Sequence, residues 1–296
     1  MISRRSSIRY ALACILFTSG CSATGLARGA ADLLFVRDHL ITVRDVPYGR
    51  HDLRLDVHRP RLPRANAPVV VFLFGGRWKY GSKDDYRVLG DALTKQGWVA
   101  VIPEYRLHPA VDYPAWVDDA ADAVRWARDN IARFGGDSTN IVVIGHSAGA
   151  HTATLLALDE RHLASVGIDP RSIRGFVSLA GPVDTIWTDA DVQRLMGPSE
   201  GWPETYPRTH VDGTEPPLLL LHGRNDKTVH PENSVHLAAR ISAAGGCARS
   251  VLIDGVGHVK IILALAAPRL ELGDVMPEVV RFVENPAGAA CPAGSR

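Results

Sequence analysis

Six short, largely apolar runs recur along the chain and must be taken out of water together. They are residues 69–74 (VVVFLF), 98–102 (WVAVI), 141–144 (IVVI), 175–179 (GFVSL), 217–221 (PLLLL) and 251–253 (VLI). Each is continuous instead of alternating, the pattern of a strand buried on both faces. Between them lie stretches with helical spacing, and strands that alternate with helices predict an α/β fold built on a mostly parallel sheet with helices on both faces. Residues 40–46 and 52–57 alternate apolar and polar instead, with Pro47, Tyr48 and Gly49 between them, and predict an antiparallel hairpin at the N-terminal side of the sheet. Ligands of such sheets bind at the carboxyl ends of the strands.

The clearest helix is expected over residues 115–134. Val117, Ala120, Val124, Ala127, Ile131 and Phe134 fall on one face, Asp118, Asp119 and Asp122 sit early and Arg128 and Arg133 late, matching the helix dipole, and Gly135–Gly136 stops the run. Further helices are expected over residues 86–96, 148–158 and 275–283, the last with Asp274 as its cap. No internal repeat or low-complexity block appears.

The first residues follow a different logic. Arg4, Arg5 and Arg9 precede a short apolar stretch, residues 10–17, which is far below the roughly 20 residues needed to span a bilayer. This is the order of a secretory signal. The small residues before Cys21 resemble a bacterial lipobox, with Thr18 departing from the usual Leu. Three readings stand: lipidation at Cys21 with a cell-envelope or periplasmic location, plain cleavage nearby, for example after Ala23, and secretion, or an unprocessed anchor. The domain plan is then a signal peptide at 1–20, a tether at 21–37, an α/β domain at 38–286 and a C-terminal tail at 287–296.

The whole chain carries 33 Lys and Arg against 32 acids, and removing the three arginines of residues 1–20 leaves 30 against 32, about −2. No basic run or aromatic-basic stripe accompanies this balance, so a nucleic-acid partner is not expected. Of the four cysteines, Cys247 and Cys291 remain after Cys14 is removed and Cys21 is modified. In an oxidising compartment they would form one disulfide or remain two separate thiols.

The chemistry concentrates at Gly145-His146-Ser147-Ala148-Gly149, a G-x-S-x-G motif directly after the strand IVVI and before a helix, the context that motif requires. The glycines at 145 and 149 permit a sharp turn that raises a serine hydroxyl into the cleft. A serine is a poor nucleophile until a base takes its proton. An acid after a later strand and a histidine after the last one complete the set: Asp226 follows PLLLLHGRN, and His258 follows VLIDGVG. Serine, acid and histidine occur in that chain order. Asp254 is the rival acid, His222 reads as structural, and His146 and His151 as residues lining a pocket. For the oxyanion, the Ala148 N–H and the N–H groups of Gly76 and Arg77, in the glycine-rich loop after VVVFLF, are the candidate donors.

Gly75-Gly76-Arg77-Trp78, Tyr105-Arg106-Leu107 with Pro109, Gly145 to Gly149, Asp226 and His258 together resemble the α/β-hydrolase superfamily. The resemblance is to the carboxylesterase branch with an HGG-type oxyanion loop, which includes feruloyl-esterase-like proteins, prenylcysteine methylesterases and arylformamidases. It covers roughly residues 40–285. It implies an α/β-hydrolase fold and cleavage of a small-molecule ester through an acyl-enzyme, with no cofactor and no metal. Tyr105, Arg106 and Leu107 would support the oxyanion loop. An amidase or peptidase using the same three residues, and a non-catalytic envelope protein of the same fold, remain as alternatives. Phe74 departs from the pattern, since the branch usually has histidine there. Either a different support for the loop or a lower rate follows. Residues 182–213, with Trp187, Trp202 and Tyr206, form either a cap with an apolar site or a surface excursion whose aromatics pack inward.

Overall fold

The computed structural model describes residues 40–62 and 64–291, so the expected signal peptide, the tether and Cys21 lie outside the described residues. Eight strands form one sheet: β1 (Leu40–Tyr48), β2 (Leu53–Pro60), β3 (Ala67–Leu73), β4 (Val99–Pro103), β5 (Gly136–His146), β6 (Gly175–Leu179), β7 (Leu218–Gly223) and β8 (Ala248–Ile253). Their spatial order is β1-β2-β4-β3-β5-β6-β7-β8. The two pairings made by β2 are antiparallel and all others parallel. The N-terminal hairpin thus forms one edge of an otherwise parallel sheet. Its turn lies later than the sequence suggests, because Pro47 and Tyr48 still pair within β1.

Every residue of β3 and β4 is buried, as continuous apolar runs require. Helices cover the sheet: α1 (Arg87–Thr94), α2 (Ala115–Asn130), α3 (Ala148–Leu158), α4 (Glu232–Ala243), α5 (His258–Ala266) and α6 (Val275–Glu284). Among the described residues, no helix is long and apolar enough to cross a membrane. The apolar stripe of α2 is buried, and its last expected turn, Ile131–Phe134, tightens into a 3₁₀ turn ended by Gly135 at φ +88°.

The acids of α2 do more than complement a dipole. Asp119 is buried and holds Arg106 through a bidentate ion pair, and Asp122 is buried beside Arg50. Asp274 precedes α6 but makes no side-chain capping bond.

The fold continues past residue 286. A short helix, Pro286–Ala290, packs on the sheet with Ala289 and Ala290 buried, and Cys291 is bonded to Cys247 beside β8. Residues 287–291 therefore belong to the packed domain rather than to a tail. Their anchor is a covalent link and two small side chains, which hydropathy alone does not reveal.

Candidate active site

The turn between β5 and α3 presents Ser147. Its backbone sits at φ +54° and ψ −117°, a conformation that L-residues seldom adopt and that the surrounding structure must enforce. The enforcement is close packing. A Cβ on Gly145 would lie 2.1 Å from the Gly149 carbonyl oxygen, and one on Gly149 would lie 2.2 Å from the Leu73 carbonyl oxygen. Only glycine lets β3, β5 and α3 meet this tightly.

His258 is the first residue of α5, and Asp226 lies three residues beyond the end of β7, so both stand at the carboxyl edge of the sheet. His258 Nε2 is 2.9 Å from Ser147 Oγ, and His258 Nδ1 is 2.7 Å from Asp226 Oδ2. Asp226 Oδ1 accepts the backbone N–H groups of Thr228 and Val229 at 2.8 and 3.0 Å. Burial on its own would raise this carboxyl's pKa. Hydrogen bonds from His222, His258 and Val229 outweigh it and hold the pKa well below the usual carboxylate range. The rival Asp254 points elsewhere, pairing with Arg224 at 2.6 Å on the exposed surface.

The loop after β3 runs against Ser147. A Cβ on Gly75 would fall 3.0 Å from the Ser147 Cβ, which places this loop directly over the serine. Gly76, Arg77 and Trp78 all have positive φ, at +135°, +57° and +57°. Among the described residues, no backbone carbonyl accepts from the N–H groups of Gly76, Arg77 or Ala148. That leaves all three free to meet an anionic oxygen.

Phe74 is fully buried at the root of this loop, stacked on Tyr105 with ring centroids 4.2 Å apart and on Tyr86 at 5.9 Å. The Tyr105 hydroxyl donates to the Phe74 carbonyl at 2.6 Å, and the Tyr86 hydroxyl bonds the Gly75 backbone. Tyr105 is itself fixed through its neighbour, because Asp119 accepts both the Arg106 N–H and its guanidinium. Two phenols and their rings thus support the loop at the position where the resemblance in the sequence led an imidazole to be expected.

His146 and His151 do not line an open pocket. His146 Nε2 bonds the backbone carbonyl of His258 at 3.0 Å and ties the serine turn to the histidine turn. His151 is fully buried, bonded to the Thr205 carbonyl and packed against Trp78 and Trp187. Residues 182–213 lie over this cluster with Trp187 and Tyr206 buried, so their aromatics pack inward. Arg77 and Lys79 of the loop after β3 pair with Asp189 and Asp191 of the same segment. Asp159, Glu204 and His210 bring potential metal-ligand atoms within 4.8 Å of one another, but the Arg161 guanidinium already bridges both carboxylates.

Comparison with known proteins places these features in a family. The BD-FAE family model matches residues 55–241. Esterase LipC of Mycobacterium tuberculosis is 32% identical over 73% of this chain and 59% of its own length. A probable isoprenylcysteine alpha-carbonyl methylesterase of Oryza sativa is 28% identical over 75% of this chain and 59% of its own. The chain therefore spans about three-fifths of the length of these curated relatives. Among solved structures, a hyperthermophilic esterase from the archaeon Pyrobaculum calidifontis superposes with a TM-score of 0.71 at 22% identity, covering 94% of this chain and 92% of the other. A truncated carbohydrate esterase from gut microbiota superposes with a TM-score of 0.70 at 20% identity, covering 84% and 97%. The chain has the α/β-hydrolase fold and belongs to the BD-FAE family.

Proposed function

We propose that this chain is a carboxylic ester hydrolase that works through an acyl-enzyme on Ser147. The observation that carries the reading is the continuous relay from Ser147 Oγ through His258 to Asp226, with links of 2.9 and 2.7 Å, at a serine held in a strained turn. His258 Nε2 takes the hydroxyl proton as Ser147 Oγ attacks the ester carbonyl. Asp226 accepts the Nδ1–H, fixes the tautomer and stabilises the imidazolium that forms. The N–H groups of Ala148, Gly76 and Arg77 receive the developing oxyanion. His258 then returns the proton to the leaving alkoxide, which departs as the alcohol. Water, deprotonated by the same imidazole, attacks the acyl-enzyme and releases the acid and free Ser147. Every proton is handled by His258, so the route needs no cofactor. The named relatives that are esterases support an ester rather than an amide as substrate.

The test is hydrolysis of p-nitrophenyl esters from acetate to octanoate, beside matched anilides. Ester turnover with little anilide turnover is expected, and the preferred chain length measures the acyl site. Anilide turnover exceeding ester turnover would overturn the esterase reading.

We also propose an exported protein, anchored through a lipid on Cys21. The arginines and apolar run before Cys21 support it, as does the Cys247–Cys291 disulfide, which suits an oxidising compartment. Metabolic labelling with a palmitate analogue is expected to mark the full chain and to be lost in Cys21→Ser. Equal labelling of both would contradict the anchor.

A further inference from the structure

The Asp226 carboxylate is shared. Its Oδ2 accepts from His258 and also faces His222 Nε2 at 3.3 Å. His222 is fully buried in β7, four residues before Asp226. Its Nε2 lies 2.9 Å from the Val229 carbonyl as well, and its Nδ1 lies 2.8 Å from Ser234 Oγ in α4. A carbonyl and a carboxylate are both acceptors, so Nε2 must carry a proton. In the neutral ring Nδ1 then accepts from the Ser234 hydroxyl. One carboxylate oxygen therefore joins two serine–histidine pairs. Only the pair with Ser147 meets the cleft, because Ser234 is fully buried.

We infer that His222 is a positioning residue for the hydrolytic relay. Its Nε2–H clamps the Asp226 carboxylate and the Val229 carbonyl together, and Ser234 fixes the tautomer that makes this possible. The inference rests on the serine-hydrolase reading above. The physical reason is that a buried carboxylate needs its lone pairs filled and its orientation held. Backbone N–H groups fill Oδ1, whereas Oδ2 has only the two imidazoles. Without His222, the charge on Oδ2 faces His258 alone, and the Thr228 and Val229 N–H groups on Oδ1 are left to hold the carboxylate against rotation. An anion with one hydrogen bond fewer stabilises positive charge beside it more strongly, so the acid limb of the ester pH profile is expected to move up. The titratable groups around this pair are His222 from β7 and His146 from β5, whose ring centroid is 5.3 Å from that of His258.

The experiment compares wild type, His222→Phe, His222→Gln and Ser234→Ala on a p-nitrophenyl ester across pH, with rates expressed per site titrated by a serine-directed phosphonate. Phenylalanine fills the site without a donor, and glutamine returns an amide N–H near the place of Nε2. For His222→Phe, kcat is expected to fall about 10- to 100-fold with KM within about twofold, and the acid limb of kcat/KM to move up by about half a pH unit. His222→Gln should recover most of both, and Ser234→Ala should show a smaller shift in the same direction. A folded His222→Phe with the wild-type kcat and acid limb would overturn the assignment, as would lowered stability with unchanged rate per titrated site. Should His222→Phe not fold, a wild-type acid limb in Ser234→Ala would overturn it, and an upward shift would support it. A wild type that neither turns over ester nor reacts with the phosphonate would overturn the esterase reading and this assignment together. An active wild type with unchanged variants would overturn this assignment alone.

Discussion

Tyr105 donates its hydroxyl to the carbonyl oxygen of Phe74 across 2.6 Å, and the two rings lie stacked with centroids 4.2 Å apart. One residue thus supplies both polar and apolar support for the start of the loop after β3. Tyr105→Phe keeps the stacking and leaves a buried carbonyl unpaired, at a cost of about 1–3 kcal/mol. Because that carbonyl sits beside the proposed oxyanion donors, kcat should fall about tenfold with KM nearly unchanged. Steady-state kinetics and urea unfolding of the variant check both numbers.

Phe74→His, which introduces the residue expected from the resemblance, is expected to lower stability and not to raise kcat. The ring site is fully buried between two phenols, and both phenol hydroxyls are already engaged with the loop backbone. An imidazole there exchanges apolar packing for a polar group that must find a partner, a loss of about 1–3 kcal/mol. A rise in kcat would show that the two phenols do not replace the imidazole.

Three buried histidines set an acid limit on the fold. Burial lowers the pKa of His58, His146 and His151 to about 4, from 6.5 in the open chain. The unfolded chain therefore binds protons that the folded one refuses. Stability is complete above pH 6.5 and drains as pH falls from there toward 4, by about 1.4 kcal/mol per pH unit for each histidine. Urea midpoints at pH 7.5 and pH 5 should differ accordingly, and replacing His58 by Gln should reduce the difference.

The Cys247–Cys291 bridge closes a loop of 44 residues' separation and fastens the last helix to the sheet. Its removal in Cys291→Ser should lower the unfolding free energy by about 2–4 kcal/mol. No residue of the relay touches the bridge, so kcat at 25 °C should stay within about twofold. Melting with and without reductant gives the same comparison on the unmodified chain.

The central strands were legible because each buries both faces, and a run such as VVVFLF has no other use. The serine turn was legible because its glycines and its place between strand and helix are local. What escaped the sequence reading is long-range or lacks a period. Helix α5 begins at His258 with VKIILALA, which is apolar nearly all round and shows no polar face to set a helical period. Asp119 reads from the sequence as an acid matched to the helix dipole, and nothing local shows that it is buried on Arg106, thirteen residues away. His222 carries no local mark of its contact with Asp226 beyond a spacing of four. The pairing arises only because β7 ends and the chain turns back at Gly223. The resemblance did imply that Tyr105 supports the loop after β3, but not its partner, the Phe74 carbonyl 31 positions away, because strand pairing brings the two together.

The most direct measurement is active-site titration with a fluorescent alkyl phosphonate on wild type, Ser147→Ala and His258→Ala, with the labelled peptide identified by mass spectrometry. One label per wild-type chain is expected, on the peptide that contains Ser147, with none on Ser147→Ala and slow, substoichiometric labelling of His258→Ala. Full labelling of Ser147→Ala, or a label on another serine, would contradict Ser147 as the nucleophile and with it the proposed mechanism.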